Sequence, residues 1–237
     1  MSADLAQAIR HDGHAFLPGA ALRAGFDPAG QALSGAAWED FAASWDDLRP
    51  DEYMADGGRY RLRRHAIFHA EAGGVVQRDP DGPHYQTLNN NPLNGGVQRR
   101  FAPVLPAVAE SPALAALLSG ARAAFEAAGQ GARPWRIEMH QFRIEARPGT
   151  PGQPTPEGMH RDGVAFVLVA LVRRHNVAGG ATGIRVDGRE GEGHFVLENP
   201  LDAVLLDDAR VWHGVTPVLP LRDGEPGFRD VLVLTFV

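Results

Sequence analysis

The stretch Gly158-Met159-His160-Arg161-Asp162-Gly163 follows a loop dense in proline and glycine. It runs into the most apolar segment of the chain, Val164 to Val172. His160 and Asp162 are two residues apart. On an extended backbone side chains alternate with a period of two, so both point to one face, about 6–7 Å apart at their Cα atoms. One imidazole nitrogen and one carboxylate oxygen can then reach a single cation. A third donor, His213, lies in Val211-Trp212-His213-Gly214-Val215, another extended-looking segment.

Two histidines and one carboxylate on one face of a metal, with the opposite face open, form the facial triad of non-haem Fe(II) oxygenases. An HxD pair alone is a weak signal in a chain with 10 histidines. The turn-rich approach, the downstream histidine on a strand and an arginine on the strand after that strengthen it. Such a metal binds a bidentate 2-oxo acid and O2 at its open positions. 2-Oxoglutarate then needs a cation for its distal carboxylate, and the planar fork of arginine suits that role. Downstream of His213 the chain offers Arg222 and Arg229. Arg222 sits in Leu221-Arg222-Asp223-Gly224-Glu225-Pro226-Gly227, a loop by its turn residues. Arg229 opens the last strand on the face of Val231, Val233 and Thr235, which makes it the expected anchor.

Working outward, the loop 147–157 carries Pro148, Pro151, Pro154 and Pro156 and cannot be regular structure. Before it, Trp135, Ile137, Met139, Gln141 and Arg143 share one face of a strand. Val164 to Val172 is apolar on both faces, as a doubly covered strand requires. Shorter strands are expected near residues 193–197, 203–206 and 211–216, and a long one over 229–237. Gly179-Gly180 marks a tight turn.

The N-terminal half reads differently. Ser2 to His11 has a short amphipathic pattern ended by Gly13, and His14 to Pro18 a brief strand. Ser34 to Leu48 starts on a cap-type serine and sets Trp38, Phe41 and Trp45 at helical spacing. Strand candidates follow over 60–66 and 74–77. Ser111-Pro112 opens an alanine-rich helix with Leu114, Leu117, Leu118, Ala121 and Phe125 along one side. The expected fold is mainly β with flanking helices: a single-domain double-stranded β-helix, the jelly roll also used by cupins. In it residues 1–130 form a helix-rich part with substrate loops, and 134–237 the jelly-roll core with the metal site.

Composition bounds the chemistry. The hydrophobic fraction of 44% supports a packed core, and the net charge of -6 argues against nucleic acid as a partner. Cysteine is absent, which excludes disulfides, thiolate nucleophiles and Cys-type zinc or iron–sulfur sites. All 23 basic residues are arginine, so Schiff-base chemistry has no lysine to use. No secretory leader is visible in Met1 to Leu17, and no apolar run is long enough to span a membrane. The chain reads as soluble and cytoplasmic, with a small molecule as its partner.

Several runs resemble a bacterial family of Fe(II)/2-oxoglutarate dioxygenases that includes isoleucine dioxygenase. The most specific is Pro154-Thr155-Pro156-Glu157-Gly158-Met159-His160-Arg161-Asp162-Gly163. His140-Gln141-Phe142-Arg143, Asn176-Val177-Ala178-Gly179-Gly180 and the run Arg229 to Phe236 are similar too. So are Asp51-Glu52-Tyr53-Met54, Arg59-Tyr60-Arg61 and Asn94-Gly95-Gly96, so the resemblance covers most of the chain. It implies Fe(II), 2-oxoglutarate and O2 as cofactor and co-substrates, and hydroxylation of the side chain of a free L-amino acid or a related small metabolite. Asn89-Asn90-Asn91 stands where that pattern has Tyr-Asn.

Further candidates are ranked below the triad. Gln141 and Arg143 either face the barrel interior and touch 2-oxoglutarate or substrate, or have strand-surface roles; Gln86 and Asn91 are either substrate-loop residues or ordinary turn residues. Arg161, between the ligands, faces away from the metal, and Trp212 packs on the face opposite His213. His65, His69, His84, His175 and His194 have no partner at ligand spacing and read as structural or exposed. Two rival readings stand beside the oxygenase. A zinc-dependent hydrolase also uses two histidines, a carboxylate and water, though the chain has no HExxH motif. The other is a non-catalytic metal-binding jelly roll.

Overall fold

The computed structural model describes residues 3–222 and 224–237, so Ser2, the expected helix start, and Asp223 lie outside the described residues. The chain opens with α1 (Ala3–Asp12), β1 (His14–Leu17), α2 (Gly19–Phe26) and α3 (Gly35–Ala43). A 3₁₀ turn, Ser44–Asp47, leads into β2 (Arg49–Pro50), β3 (Arg61–Ala70) and β4 (Val76–Arg78). After a long loop come α4 (Pro106–Ala109), α5 (Pro112–Phe125) and β5 (Trp135–Ala146). The rest is β: β6 (Phe166–His175), β7 (Val177–Gly179), β8 (Ala181–Val186), β9 (Gly193–Val196) and β10 (Ala203–Asp207). The chain closes with β11 (Val211–Val215), β12 (Val218–Pro220) and β13 (Gly227–Phe236).

The strands form an antiparallel jelly roll. The large sheet runs β1-β10-β6-β13-β5-β3-β2, with β4 beside β3. A smaller sheet, β11-β8-β9, and the pair β12-β7 complete it. One face of the large sheet is covered by helices. There Phe166, Leu168, Ala170 and Val172 of β6 and Leu232, Leu234 and Phe236 of β13 pack with Leu114, Leu117 and Phe125 of α5. Phe125 stacks on Phe166 with ring centroids 4.6 Å apart. The alternate residues of β6, Val167, Val169 and Leu171, pack inward with Ile184, Leu197 and Val231. Both faces of β6 are therefore buried, which is why its sequence shows no alternation.

Helix α5 starts as its sequence requires. Ser111 Oγ accepts a hydrogen bond from Leu114 N at 3.2 Å, and Pro112 occupies the first turn, where its missing N–H costs nothing. Ser34 differs from expectation: its hydroxyl donates to Gly30 O and caps no helix N–H. The helix expected to Leu48 stops at Ala43 and tightens into the 3₁₀ turn, placing Trp45 fully in the core. Helix α2 begins after Pro18 without a side-chain cap, so no capping residue marks its start. Among the described residues no helix is long and apolar enough to cross a membrane.

Candidate metal centre and cavity

His160, Asp162 and His213 come together between the two sheets, their ligand atoms all within 4.8 Å of one another. Backbone pairing does the positioning. His160 N donates to His213 O at 2.9 Å and His213 N to His160 O at 3.0 Å, a narrow antiparallel bridge joining the loop before β6 to β11. The two rings lie 4.4 Å apart, centroid to centroid. Asp162 Oδ2 is 3.3 Å from His213 Nε2, and Asp162 Oδ1 is 3.9 Å from His160 Nε2.

The donor set fits a divalent cation. His160 Nδ1 lies 3.0 Å from Gly158 O, and only an N–H can bond to a carbonyl. Its Nε2 is therefore a lone pair aimed at the centre, the usual way an outer hydrogen bond sets a ligand's tautomer. His213 Nε2 is buried without a hydrogen-bond partner. Burial alone would raise the Asp162 carboxyl, yet His213 and, behind it, His160 hold it well below the usual carboxylate range. His213 moves the opposite way: burial opposes its protonation, but Asp162 and Asp208 outweigh it and raise its pKa. A centre that draws positive charge this strongly suits a cation.

Asp208 was not singled out in the sequence, and it shapes the site. Its carboxylate accepts from three consecutive backbone N–H groups: Asp162 at 3.0 Å, Gly163 at 2.7 Å and Val164 at 3.0 Å. It thus clamps the turn that carries Asp162. An amide presents one oxygen and an NH₂ that repels N–H donors. Asp208→Asn should therefore weaken Fe(II) binding about 10- to 100-fold, the usual cost of disturbing an outer partner, as measured by anaerobic Fe(II) titration. Unchanged iron affinity would limit Asp208 to a structural role.

The centre opens into a cavity of about 880 Å³, counted with its mouth. Arg229, Val231, Val233 and Thr235 of β13 line it, as does Val169 of β6. Arg229 is 2% exposed, and its Nε and Nη2 have no hydrogen-bond partner. Burial, with Arg174 nearby, lowers its pKa to about 10, which leaves it a cation at neutral pH. Arg222 is different: exposed, and paired with Glu225 at 3.0 Å.

Gln86 and Asn91 also reach the cavity. Gln86 Nε2 donates to Asp162 Oδ1 at 3.0 Å, while its Oε1 accepts from Arg99 at 2.8 Å and from Asn91 at 3.3 Å. Gln141 and Arg143 do not reach it, which corrects the expectation for both. Gln141 donates to Ser44 Oγ at 2.9 Å, and Arg143 bonds Asp230 and Asp46. The five residues do share one face of β5, but it is the face toward the helices and the 3₁₀ turn. His140, Phe142 and Ile144, the alternate set, face the cavity.

Arg161 is engaged elsewhere, bonding Val211 O and Asp187 and lying over the Trp212 ring. His69, His175 and His194 stay outside the cavity, His69 on Asp79 and His175 against the Phe228 ring. His65 and His84 are neither isolated nor exposed: with Glu138 and His140 they form a second buried group. Arg61, Arg63, Arg99 and Glu157 also line the cavity. Arg61 and Arg63 share one carboxylate, Asp51, at 2.8 and 3.4 Å. Arg99 Nε and Glu157 Oε2 are buried and unpartnered. The basic cluster Arg61, Arg63 and Arg64 was the sequence signal, with Arg61 and Arg63 on the face of β3 that lines the cavity.

Comparison with known proteins agrees with this geometry. A sequence profile of the 2OG-Fe dioxygenase family matches residues 42–235. The 3(1)-hydroxy-L-isoleucine 4-dioxygenase of Pantoea ananatis (strain AJ13355) is 26% identical over 96% of this chain and 93% of its own. A bsmA homolog from Methylobium petroleophilum PM1 superposes with a TM-score of 0.88 at 38% identity, covering 99% of this chain and 92% of that one. The fold of IDO from Bacillus thuringiensis is also similar, with a TM-score of 0.79 at 18% identity over 100% and 97% of the two chains.

Proposed function

The chain belongs to the 2OG-Fe dioxygenase family, and from that premise we propose that it hydroxylates the side chain of a free L-amino acid or a closely related small metabolite. The family uses Fe(II), 2-oxoglutarate and O2. Bound iron supplies the place where O2 and the 2-oxo acid react. This chain's residues do the rest. His160, Asp162 and His213 would hold the metal, and Gln86 steadies Asp162 by a hydrogen bond. Arg229 offers an unpaired, desolvated cation to the distal carboxylate of 2-oxoglutarate.

The observation that carries the substrate reading is a second group of charged residues lining the cavity. It presents unpartnered groups of both signs in one cavity, Arg99 Nε and Glu157 Oε2, with Arg61 beside them. Unpaired buried charge is costly to keep unless a ligand completes it. An α-amino acid does so, its carboxylate on the arginines and its ammonium on Glu157. The Pantoea relative, named for a free amino-acid substrate, supports this. Neither a zinc hydrolase nor a storage protein needs a buried cation such as Arg229.

A succinate-release screen over the free L-amino acids, with Fe(II) and 2-oxoglutarate present, tests the proposal. One or a few amino acids should stimulate release well above the substrate-free rate. For that substrate, Glu157→Gln should raise KM about 10- to 100-fold, since a hydrogen bond to a charged group contributes roughly 1.5–3 kcal/mol. The KM for 2-oxoglutarate should hardly move. Release that no amino acid stimulates, from protein that binds iron and 2-oxoglutarate, would sink the substrate class.

A further inference from the structure

Between β3, β5 and the loop at His84 lies a buried group that the reading above leaves unused. It comprises His65, His84, Glu138 and His140, whose ligand atoms also lie within 4.8 Å of one another. The hydrogen bonds argue that protons fill it. Glu138 Oε2 is 3.0 Å from His65 Nε2 and 2.5 Å from His84 Nδ1, which makes both nitrogens donors. Arg63 Nη2 lies 2.7 Å from His140 Nδ1, and a guanidinium only donates, so that nitrogen is a lone pair. The His65 and His140 rings are nearly parallel, 23° apart with centroids separated by 4.8 Å, so a single cation cannot lie in both ring planes. Arg63, Arg61 and Arg99 close by further disfavour a metal ion.

Burial lowers the pKa of all three imidazoles and keeps them neutral. In a neutral ring one nitrogen carries the proton, and here the partners decide which. His84 has its proton on Nδ1, so its Nε2 is an acceptor. His140 has its proton on Nε2, which is 3.9 Å from Glu138, too far for a hydrogen bond. Both side chains line the substrate cavity, their ring centroids 4.8 Å apart and their planes at 79°. Neither Nε2 has a hydrogen-bond partner among the described residues.

We propose that His84 and His140 are specificity-determining residues, an acceptor and a donor that together recognise a neutral group on the substrate side chain able both to give and to take a hydrogen bond. A hydroxyl or a carboxamide meets that description. A carboxylate would face the lone pair of His84, an ammonium would face the N–H of His140, and a methyl would leave both unmet. Because Glu138 and Arg63 hold the two tautomers, neither ring can switch role without breaking a buried bond. A site built to bond a polar group discriminates strongly against the apolar isostere. The inference rests on the amino-acid reading and narrows it.

Two measurements test it. Long-range ¹⁵N–¹H spectra of the imidazole rings, assigned with His84→Phe and His140→Phe, should show His84 protonated on Nδ1 and His140 on Nε2. The reverse tautomer at either residue overturns the pair, and this readout needs neither iron nor a substrate. The second uses the visible charge-transfer band of protein with Fe(II) and 2-oxoglutarate under anaerobic conditions, titrated with isosteric amino acids. The pairs are L-threonine against L-valine, L-homoserine against L-norvaline, and L-glutamine against L-homoleucine. The hydroxylated or carboxamide partner should bind at least about tenfold tighter in one pair, which also tells the two groups apart. His84→Phe should reduce that preference to about twofold, and His84→Gln, which keeps an acceptor, should restore part of it. Equal binding within every pair overturns the proposal, as does one equivalent of Zn²⁺ held by the His160→Ala protein. If no amino acid perturbs the band, the amino-acid reading has failed, and the narrower substrate claim fails with it.

Discussion

Arg229→Ala should raise the apparent KM for 2-oxoglutarate by about two to four decades and leave Fe(II) affinity within a few-fold. The guanidinium is buried at 2% exposure, and its Nε and Nη2 have no hydrogen-bond partner among the described residues, so both are free to take a ligand carboxylate. Deleting one partner of a buried ion pair costs about 3–5 kcal/mol, at about 1.4 kcal/mol per decade of affinity. Arg222→Ala should stay within a few-fold of wild type. That residue pairs with Glu225 in an exposed loop, where such pairs contribute roughly 0–1 kcal/mol. Arg229→Lys keeps the charge and loses the fork, so it should fall between them.

Titration of 2-oxoglutarate against the three variants decides the matter. A second readout sharpens it. Because the cation is unpaired in the free protein, Arg229→Met should unfold no earlier than wild type when 2-oxoglutarate is absent. It should also lose the thermal stabilisation that 2-oxoglutarate gives wild type. A large loss in Arg222→Ala with none in Arg229→Ala would place the anchor on the wrong strand.

His160→Ala and Asp162→Ala should each abolish Fe(II) binding and turnover, with far-UV circular dichroism close to wild type. The fold survives because backbone, not side chain, holds this region. The bridge between His160 and His213 uses main-chain atoms only, and Asp208 clamps the N–H groups of residues 162, 163 and 164 whatever side chain follows. The strands that carry the site are packed by Val167, Ile184, Val204, Leu206 and Val211, none of them a ligand. Anaerobic iron titration reads the loss directly. Full turnover in Asp162→Ala would end the triad assignment.

Much of this molecule is legible along the chain, because strand alternation and turn chemistry are local. The doubly apolar run at 164–172, the capped helix at Ser111 and the Pro-rich approach to His160 each carry their own physical signal. So does the face of the last strand, where Arg229 falls in step with Val231, Val233 and Thr235. What a period of two cannot tell is which layer covers a given face. Trp135, Ile137, Met139, Gln141 and Arg143 do form one row, but the helices pack on that row, so Gln141 and Arg143 turn away from the cavity.

The tertiary structure alone decides which distant residues meet. His84 and Glu138 are 54 residues apart and bond because the loop at His84 crosses the β3–β5 pair, where His65 lies opposite His140. Asp208 reaches the turn at Asp162 across 46 residues, because β10 lies beside β6 in the sheet. Only the packing of the cavity leaves Arg99 Nε and Glu157 Oε2 buried without a partner. Local sequence sets the conformation of each segment, whereas the pairing of buried charges depends on strand order. Strand order is settled by how the apolar faces close on one another over the whole chain.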